Sequence, residues 1–193
     1  MIDPVEVTTK QLWLRQWRQG DRDPFALMNA DDEVMRYFPG TLSRFQSDTW
    51  IDYVSDEIDR EGWGLWAVQH IHTSAFVGAL GLHRVEFDTD FTPAIEIGWR
   101  LARRYWGHGF ATEAATGVLE VAFDRLGLDE VVSFTVPHNE ASRRVMEKIG
   151  MMLDPDAEFD HPRVDPDTHP QLVRHVVYRL TQREWQARRS SSV

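Results

Sequence analysis

The segment Arg104-Tyr-Trp-Gly107-His108-Gly109 stands between a strand-like stretch and a long helix-periodic one that opens on Phe110, Ala111 and Thr112. Glycines at such a junction let the backbone approach a ligand closely and turn successive N–H groups inward. A helix start adds partial positive charge. That chemistry suits a pyrophosphate held without a metal. The spacing departs from the dinucleotide fingerprint: Asp129 sits about 20 residues on, where an acidic partner belongs, but the third Gly is missing. No Gly-Lys-Ser/Thr follows, which disfavours a nucleotide triphosphatase. The alternative for the same residues is a loop with turn glycines.

The elements that must position this segment read as follows. Gln11 to Trp17 alternates apolar and polar residues as a strand does. Asp21 to Tyr37 predicts a helix, capped by Asp21 or Asp23, with Pro24 in its first turn and Pro39-Gly40 as its stop. Ser43 caps a second helix to about Arg60. Three strands follow, at 64–70, 76–85 and 94–101, broken by His72-Thr73-Ser74 and Asp88-Thr89-Asp90. Gly109 to Leu126 is helical, with Ala111, Ala114, Val118 and Ala122 on one stripe and Gly127 as a left-handed stop. Glu130 to Val136 reads as a strand buried on both faces. Asn139 to Ile149 reads as a short helix with Asn139 as N-cap and Gly150 as stop. Residues 154–171 carry Pro155, Pro162, Pro166 and Pro170 among acids and predict an exposed loop, and 172–180 closes the sheet. The order β, αα, βββ, α, β, α, β is a mixed α/β sheet with helices on both faces.

Composition bounds the rest. The 193 residues suit one domain, taken as 1–189, with a frayed tail at 190–193. Without cysteine there is no disulfide scaffold, thiolate metal site or Cys nucleophile. No apolar run approaches the ~20 residues of a membrane span, and the N-terminus has no signal-like pattern, so a cytoplasmic protein without a membrane partner is expected. Lys+Arg 21 against Asp+Glu 31 leaves a net charge of −10, which disfavours a nucleic-acid partner and favours a cationic one.

Taken together, Glu96-Ile-Gly-Trp99, then Arg104-x-x-Gly107-x-Gly109-Phe-Ala-Thr-Glu113-Ala, then Asn139-x-x-Ser142 running to Glu147-Lys-Ile-Gly150, resemble the GNAT N-acetyltransferase superfamily. More narrowly the chain resembles the RimJ/RimL-like branch, whose founding members acetylate the N-termini of ribosomal proteins. The resemblance extends to Val34-Met-Arg-Tyr-Phe-Pro39 and Tyr178-Arg-Leu180. It implies a mostly antiparallel central sheet of about six or seven strands, whose fourth and fifth strands splay apart. It also implies acetyl-CoA as cosubstrate, no metal, and transfer of acetyl to a primary amine in a ternary complex. The acceptor is a protein N-terminal amine or a small amine such as a polyamine, amino sugar or antibiotic. A non-catalytic acyl-CoA-binding module is the alternative from another class. Dimerisation is common in this branch.

Residue by residue, the resemblance implies that backbone groups of Trp99, Arg100 and Leu101 pair with the pantetheine arm like an added strand. Backbone N–H groups from Gly107 through His108, Gly109, Phe110, Ala111 and Thr112 would hold the pyrophosphate. Arg104, with Arg103 or Arg143, would meet the remaining phosphate charge, or lie solvated at the surface. Asn139 would hydrogen-bond the arm, act as helix N-cap, or do both. Glu96 occupies the position of a general base in some members; acceptor binding and a structural ion pair are its alternatives. A backbone N–H near Trp99 would polarise the thioester carbonyl. Many members place a Tyr where this chain has Met146, which cannot donate a proton, so Ser142 becomes the candidate acid, against a purely local role in the helix.

Three other groups carry weaker readings. His161, His169 and His175 follow no metal-ligand spacing. His83 and Arg84 could line an acceptor groove, or simply pack or lie exposed. Trp13, Trp17, Trp50, Trp63 and Trp66 could cage a cation, or belong to the core.

Overall fold

The computed structural model describes residues 3–190. Among them the strands are β1 (Val7–Thr8), β2 (Leu12–Arg15), β3 (Leu65–His70), β4 (Phe76–Arg84), β5 (Ile95–Leu101), β6 (Glu130–Thr135), β7 (Met152–Asp160) and β8 (Arg174–Thr181). The helices are α1 (Arg22–Asn29), α2 (Arg44–Glu61), α3 (Phe110–Glu120), α4 (Glu140–Ile149) and α5 (Gln182–Ser190). The strand order is β1-β2-β3-β4-β5-β6-β8-β7, eight strands rather than six or seven. β5 and β6 pair in parallel, and β1/β2, β2/β3, β3/β4, β6/β8 and β7/β8 pair antiparallel. The chain forms two compact units, Met1–Leu82 with Gly98–Val118, and His83–Ile97 with Leu119–Val193.

In the first unit, α2 begins where Ser43 and Gln46 cap each other reciprocally, and it ends at left-handed Gly62. Its buried stripe Ser47, Ile51, Val54, Ile58 has helical spacing. Ile51 packs with Phe25, Met28, Val34, Ala67, Phe76 and Ala79, and Trp17 and Trp50 close that cluster. Phe25 is fully buried there, so Phe25→Ala should cost ~3–5 kcal/mol. Gly78 of β4 is required by close approach: a Cβ there would lie 2.3 Å from the Arg100 carbonyl oxygen on β5. The helix expected over 21–37 stops at Asn29. The buried Asn29 amide turns to other side chains, and Asp31 accepts the Glu33 N–H, a local bond that competes with helix continuation. Asp21 is no cap. It is buried and holds Arg15 through both carboxylate oxygens, at 2.7 and 2.8 Å.

In the second unit, Phe91, Val132 and Val177 form a core joined by Val85, Ala94, Phe134 and Phe159. The helix begun by α3 continues as a π-helical turn over 121–125 to Gly127, whose φ is +64°. The expected loop at 154–171 is corrected: its first part belongs to β7, the outermost strand, which pairs with β8 through a register shift between Asp154 and Phe159. An edge with a bulge tolerates Pro155, which has no N–H to give. Ser190, read as tail, ends α5, and residues 191–193 lie outside the described residues.

Candidate active site

In the first unit the segment between β5 and α3 is built as a cradle. Leu101 ends β5, Arg103–Tyr105 makes a 3-10 turn, and the Trp106 indole N–H returns to the Leu101 carbonyl at 2.8 Å. Gly107 and Gly109 have φ of +77° and +81°, which a β-carbon resists, and a Cβ on either would meet open space. The backbone is thus bare where a ligand could come closest. His108 is exposed and stacks on Phe110 at 5.5 Å. The first backbone bond of α3 runs from Glu113 N–H to the Gly109 carbonyl. Phe110, Ala111 and Thr112 therefore open the helix with N–H groups that the helix itself does not use. An anion of pyrophosphate size fits this arrangement: open space, two left-handed glycines and a helix start.

Glu113 anchors the cradle's helix. It accepts hydrogen bonds from Thr9 Oγ1 at 2.6 Å, from Gln11 N–H at 2.7 Å and from Gln11 Nε2 at 2.7 Å. Burial works to raise its pKa, and these donors outweigh it, leaving the carboxyl below the usual carboxylate range.

Arg104 is exposed beside the Tyr105 ring and has no carboxylate partner among the described residues. Trp99 is partly exposed, and the Leu101 carbonyl is taken by Trp106. Arg100 departs from its neighbours. One guanidinium nitrogen, Nη1, donates to Asn29 Oδ1 at 2.7 Å, and the guanidinium lies 4.2 Å from the Phe38 ring centroid. Desolvation pulls its pKa down to about 10.

In the second unit the hairpin joining β4 to β5 decides the surroundings of Glu96. Val85 N–H bonds the Ala94 carbonyl, and stepping two residues back along each strand sets His83 across from Glu96. His83 Nε2 lies 3.0 Å from Glu96 Oε2, and Glu96 is 8% exposed. The β5–β6 ladder has one register pair, Glu96↔Val132, and Ser133 Oγ donates to the Ile97 carbonyl beside it. A buried carboxylate against an imidazole can accept and share a proton. Sequence reading put both residues on the right strands but missed their pairing. The signal was the turn Asp88-Thr89-Asp90, which lies midway between them.

On β6 and α4, Asn139 is buried and serves both ends of its amide. Oδ1 accepts the Ser142 N–H, and Nδ2 donates to Thr135 Oγ1 at 2.9 Å. The cap is real, and one Nδ2 hydrogen remains for a ligand. Ser142 Oγ has no partner among the described residues. Arg143 is already engaged: it donates to Tyr178 Oη at 3.1 Å and to the Pro137 carbonyl at 2.8 Å. The Tyr178 hydroxyl, in turn, raises the Arg143 pKa. Met146 is buried at 1% exposure.

The remaining sequence candidates resolve into packing. Trp66 is fully buried and donates to the Val5 carbonyl, Trp17 meets Phe25 and Trp50 edge-on and Phe76 at a tilt, and Trp63 is buried. Trp13 donates to Glu6. His161 and His175 lie 4.9 Å apart in an aromatic cluster with Phe87, Phe134 and Phe159, where burial lowers the pKa of His161 to about 4. Among the described residues, no group of three or more His, Cys, Asp or Glu could hold a metal, and no helix is long and apolar enough to cross a membrane.

The profile described as the acetyltransferase (GNAT) domain matches residues 11–152. The chain belongs to the GNAT acetyltransferase family. It is therefore an N-acetyltransferase, and acetyl-CoA is this family's acetyl donor. The chain is 35% identical over 152 residues to the uncharacterized protein YkkB of Bacillus subtilis, covering 76% of this chain and 85% of that one. It is 32% identical over 139 residues to the FsC-acetyl coenzyme A-N(2)-transacetylase of Aspergillus fumigatus, covering 71% and 51% of the two chains. The fold is similar to that of a GNAT-family acetyltransferase from Bacillus anthracis, with a TM-score of 0.76, 23% identity, and 93% and 99% of the two chains covered.

Proposed function

We propose that this chain transfers acetyl from acetyl-CoA to a primary amine by direct attack in a ternary complex, with a protein N-terminal amine as the first acceptor class, as in the RimJ/RimL-like branch. A small-molecule amine is the second class. A net charge of −10 suits either, because both arrive protonated. When bound, acetyl-CoA supplies an activated acyl carbon and a thiol leaving group. Every other task falls to the chain.

Backbone N–H groups from Gly107 to Thr112 hold the pyrophosphate, with Arg104 supplying charge. Backbone groups from Trp99 to Leu101 align the pantetheine arm, and Asn139 offers it the spare amide hydrogen. Arg143 is left out of the phosphate role because Tyr178 and Pro137 hold it. Glu96 takes the amine proton, directly or through one water, and His83 steadies the carboxylate and shares that proton. Ser142 Oγ–H would hydrogen-bond the departing thiolate and relay a proton to it from water, so the hydroxyl ends as it began. The observation that carries this reading is the 3.0 Å contact between His83 and Glu96, which gives Glu96 a titratable partner instead of a fixed cation.

The test is release of free CoA from acetyl-CoA across N-terminal peptides, polyamines and amino sugars. Turnover confined to one amine class is expected; no release with any of them, despite acetyl-CoA binding, would contradict the reading. Gly109→Val should weaken acetyl-CoA binding by more than ~30-fold in calorimetry, through strain at φ +81° and a filled cradle. Unchanged affinity would remove the cradle.

A further inference from the structure

Arg15 and Arg100 are both arginines set into the first unit, and only one is neutralised. Arg15 has Asp21 on both terminal nitrogens and Gln69 on Nε. Arg100 has one neutral acceptor, Asn29 Oδ1, and its Nε is buried without any hydrogen bond. Among the described residues no carboxylate pairs with it, in a chain with 31 acidic side chains against 21 Lys and Arg. A desolvated cation left without a counter-charge is unfavourable, and folding alone gives no reason to keep it so.

The surroundings hold the guanidinium in place while leaving it a route to solvent. Asn29 cannot swing away, because its Nδ2 donates to buried Ser47 Oγ at 3.1 Å, which keeps Oδ1 turned to Arg100. Phe38 covers the guanidinium face and is itself 37% exposed. Arg100 remains partly exposed. A planar fork fixed at one nitrogen and stacked on a ring presents its remaining N–H groups in a geometry that matches a carboxylate.

We propose that Arg100 is the acceptor-recognition residue and binds a carboxylate carried by the amine substrate. This rests on the acetyl-transfer reading above and narrows its acceptor class. The carboxylate belongs either to a free amino acid or to an acidic side chain close to a peptide N-terminus, and both present the same chemistry to the guanidinium.

The test has an activity arm and a binding arm. In the first, CoA release is measured with amino acids against their amides, and with peptides carrying Glu against Gln at the first three positions. The wild type should prefer the carboxylate member of one set by at least tenfold in kcat/KM, and the set that shows the preference names the source. Arg100→Gln should abolish that preference, so that the carboxylate substrate and its amide or Gln counterpart are turned over within twofold of each other. In the second arm, binding of N-acetylglycine and N-acetylglycinamide is followed by calorimetry. Only the carboxylate should bind, and Arg100→Gln should lose it. Should Arg100→Gln fail to fold, the wild-type preference and Arg100→Lys, which keeps charge but not the fork, still decide. Turnover without any carboxylate preference would overturn the inference and leave the acetyl-transfer reading standing. Carboxylate binding that depends on Arg100, with no amine acetylated, would support the inference and count against that reading.

Discussion

Glu113 and Glu96 are two carboxylates in the same chain that face opposite kinds of partner. Glu113 receives three short hydrogen bonds from Thr9 and Gln11, none from a group that titrates near neutral pH. It is fixed as an anion, and its proton affinity is lowered. Glu96 is more buried, yet among the described residues the ionisable group it meets is the His83 imidazole, at 3.0 Å. Saturating a carboxylate with neutral donors makes an anchor, whereas pairing it with an imidazole leaves a proton that can move. Burial alone does not tell the two apart; the chemistry of the donors does.

Substitution should separate them. Glu96→Gln keeps shape and removes the base. It should lower kcat/KM by ~10²–10⁴-fold with little change in melting temperature, read in the CoA-release assay and by circular dichroism. Glu113→Gln should do the reverse, lowering the urea midpoint at neutral pH while the folded fraction keeps its activity within about threefold. The cost should depend on pH. Because the folded pKa of Glu113 lies below its ordinary 4.5, its contribution is complete above that value and is lost as pH falls through the folded pKa. The stability gap between wild type and Glu113→Gln should therefore be full at pH 7 and close at the acid end. A constant gap would mean that Glu113 acts through packing. Ser142→Ala is the smallest expected effect, less than ~10-fold in kcat, since a thiolate leaves readily without an acid.

Much of this was legible in sequence wherever a local rule governs. Ser43 and Asn139 announced their helices as caps, Gly127 and Gly150 their ends, and the three middle strands fell within a residue or two of their bounds. Tertiary partners overrode local rules elsewhere. Asp21 looked like a cap and serves Arg15. The helix from it stops at Asn29, whose amide serves Ser47 and Arg100. Pro155 looked like a loop residue and sits at a tolerant sheet edge. Helix α5 was missed because Trp185 is its only buried residue, although Thr181 and Glu184 form a capping pair at its start. In the candidate site, Gly107 and Gly109 were readable from type alone. The His83–Glu96 pair and the unpaired state of Arg100 were not, since both depend on which residues of distant segments meet.

The central claim, that Glu96 is the proton acceptor, is tested most directly by the pH profile of kcat/KM for wild type and Glu96→Gln with one amine. Both profiles should carry the limb of the amine itself, and Glu96→Gln should run at least ~10²-fold below the wild type throughout. Superimposable profiles with rates within twofold would contradict the account.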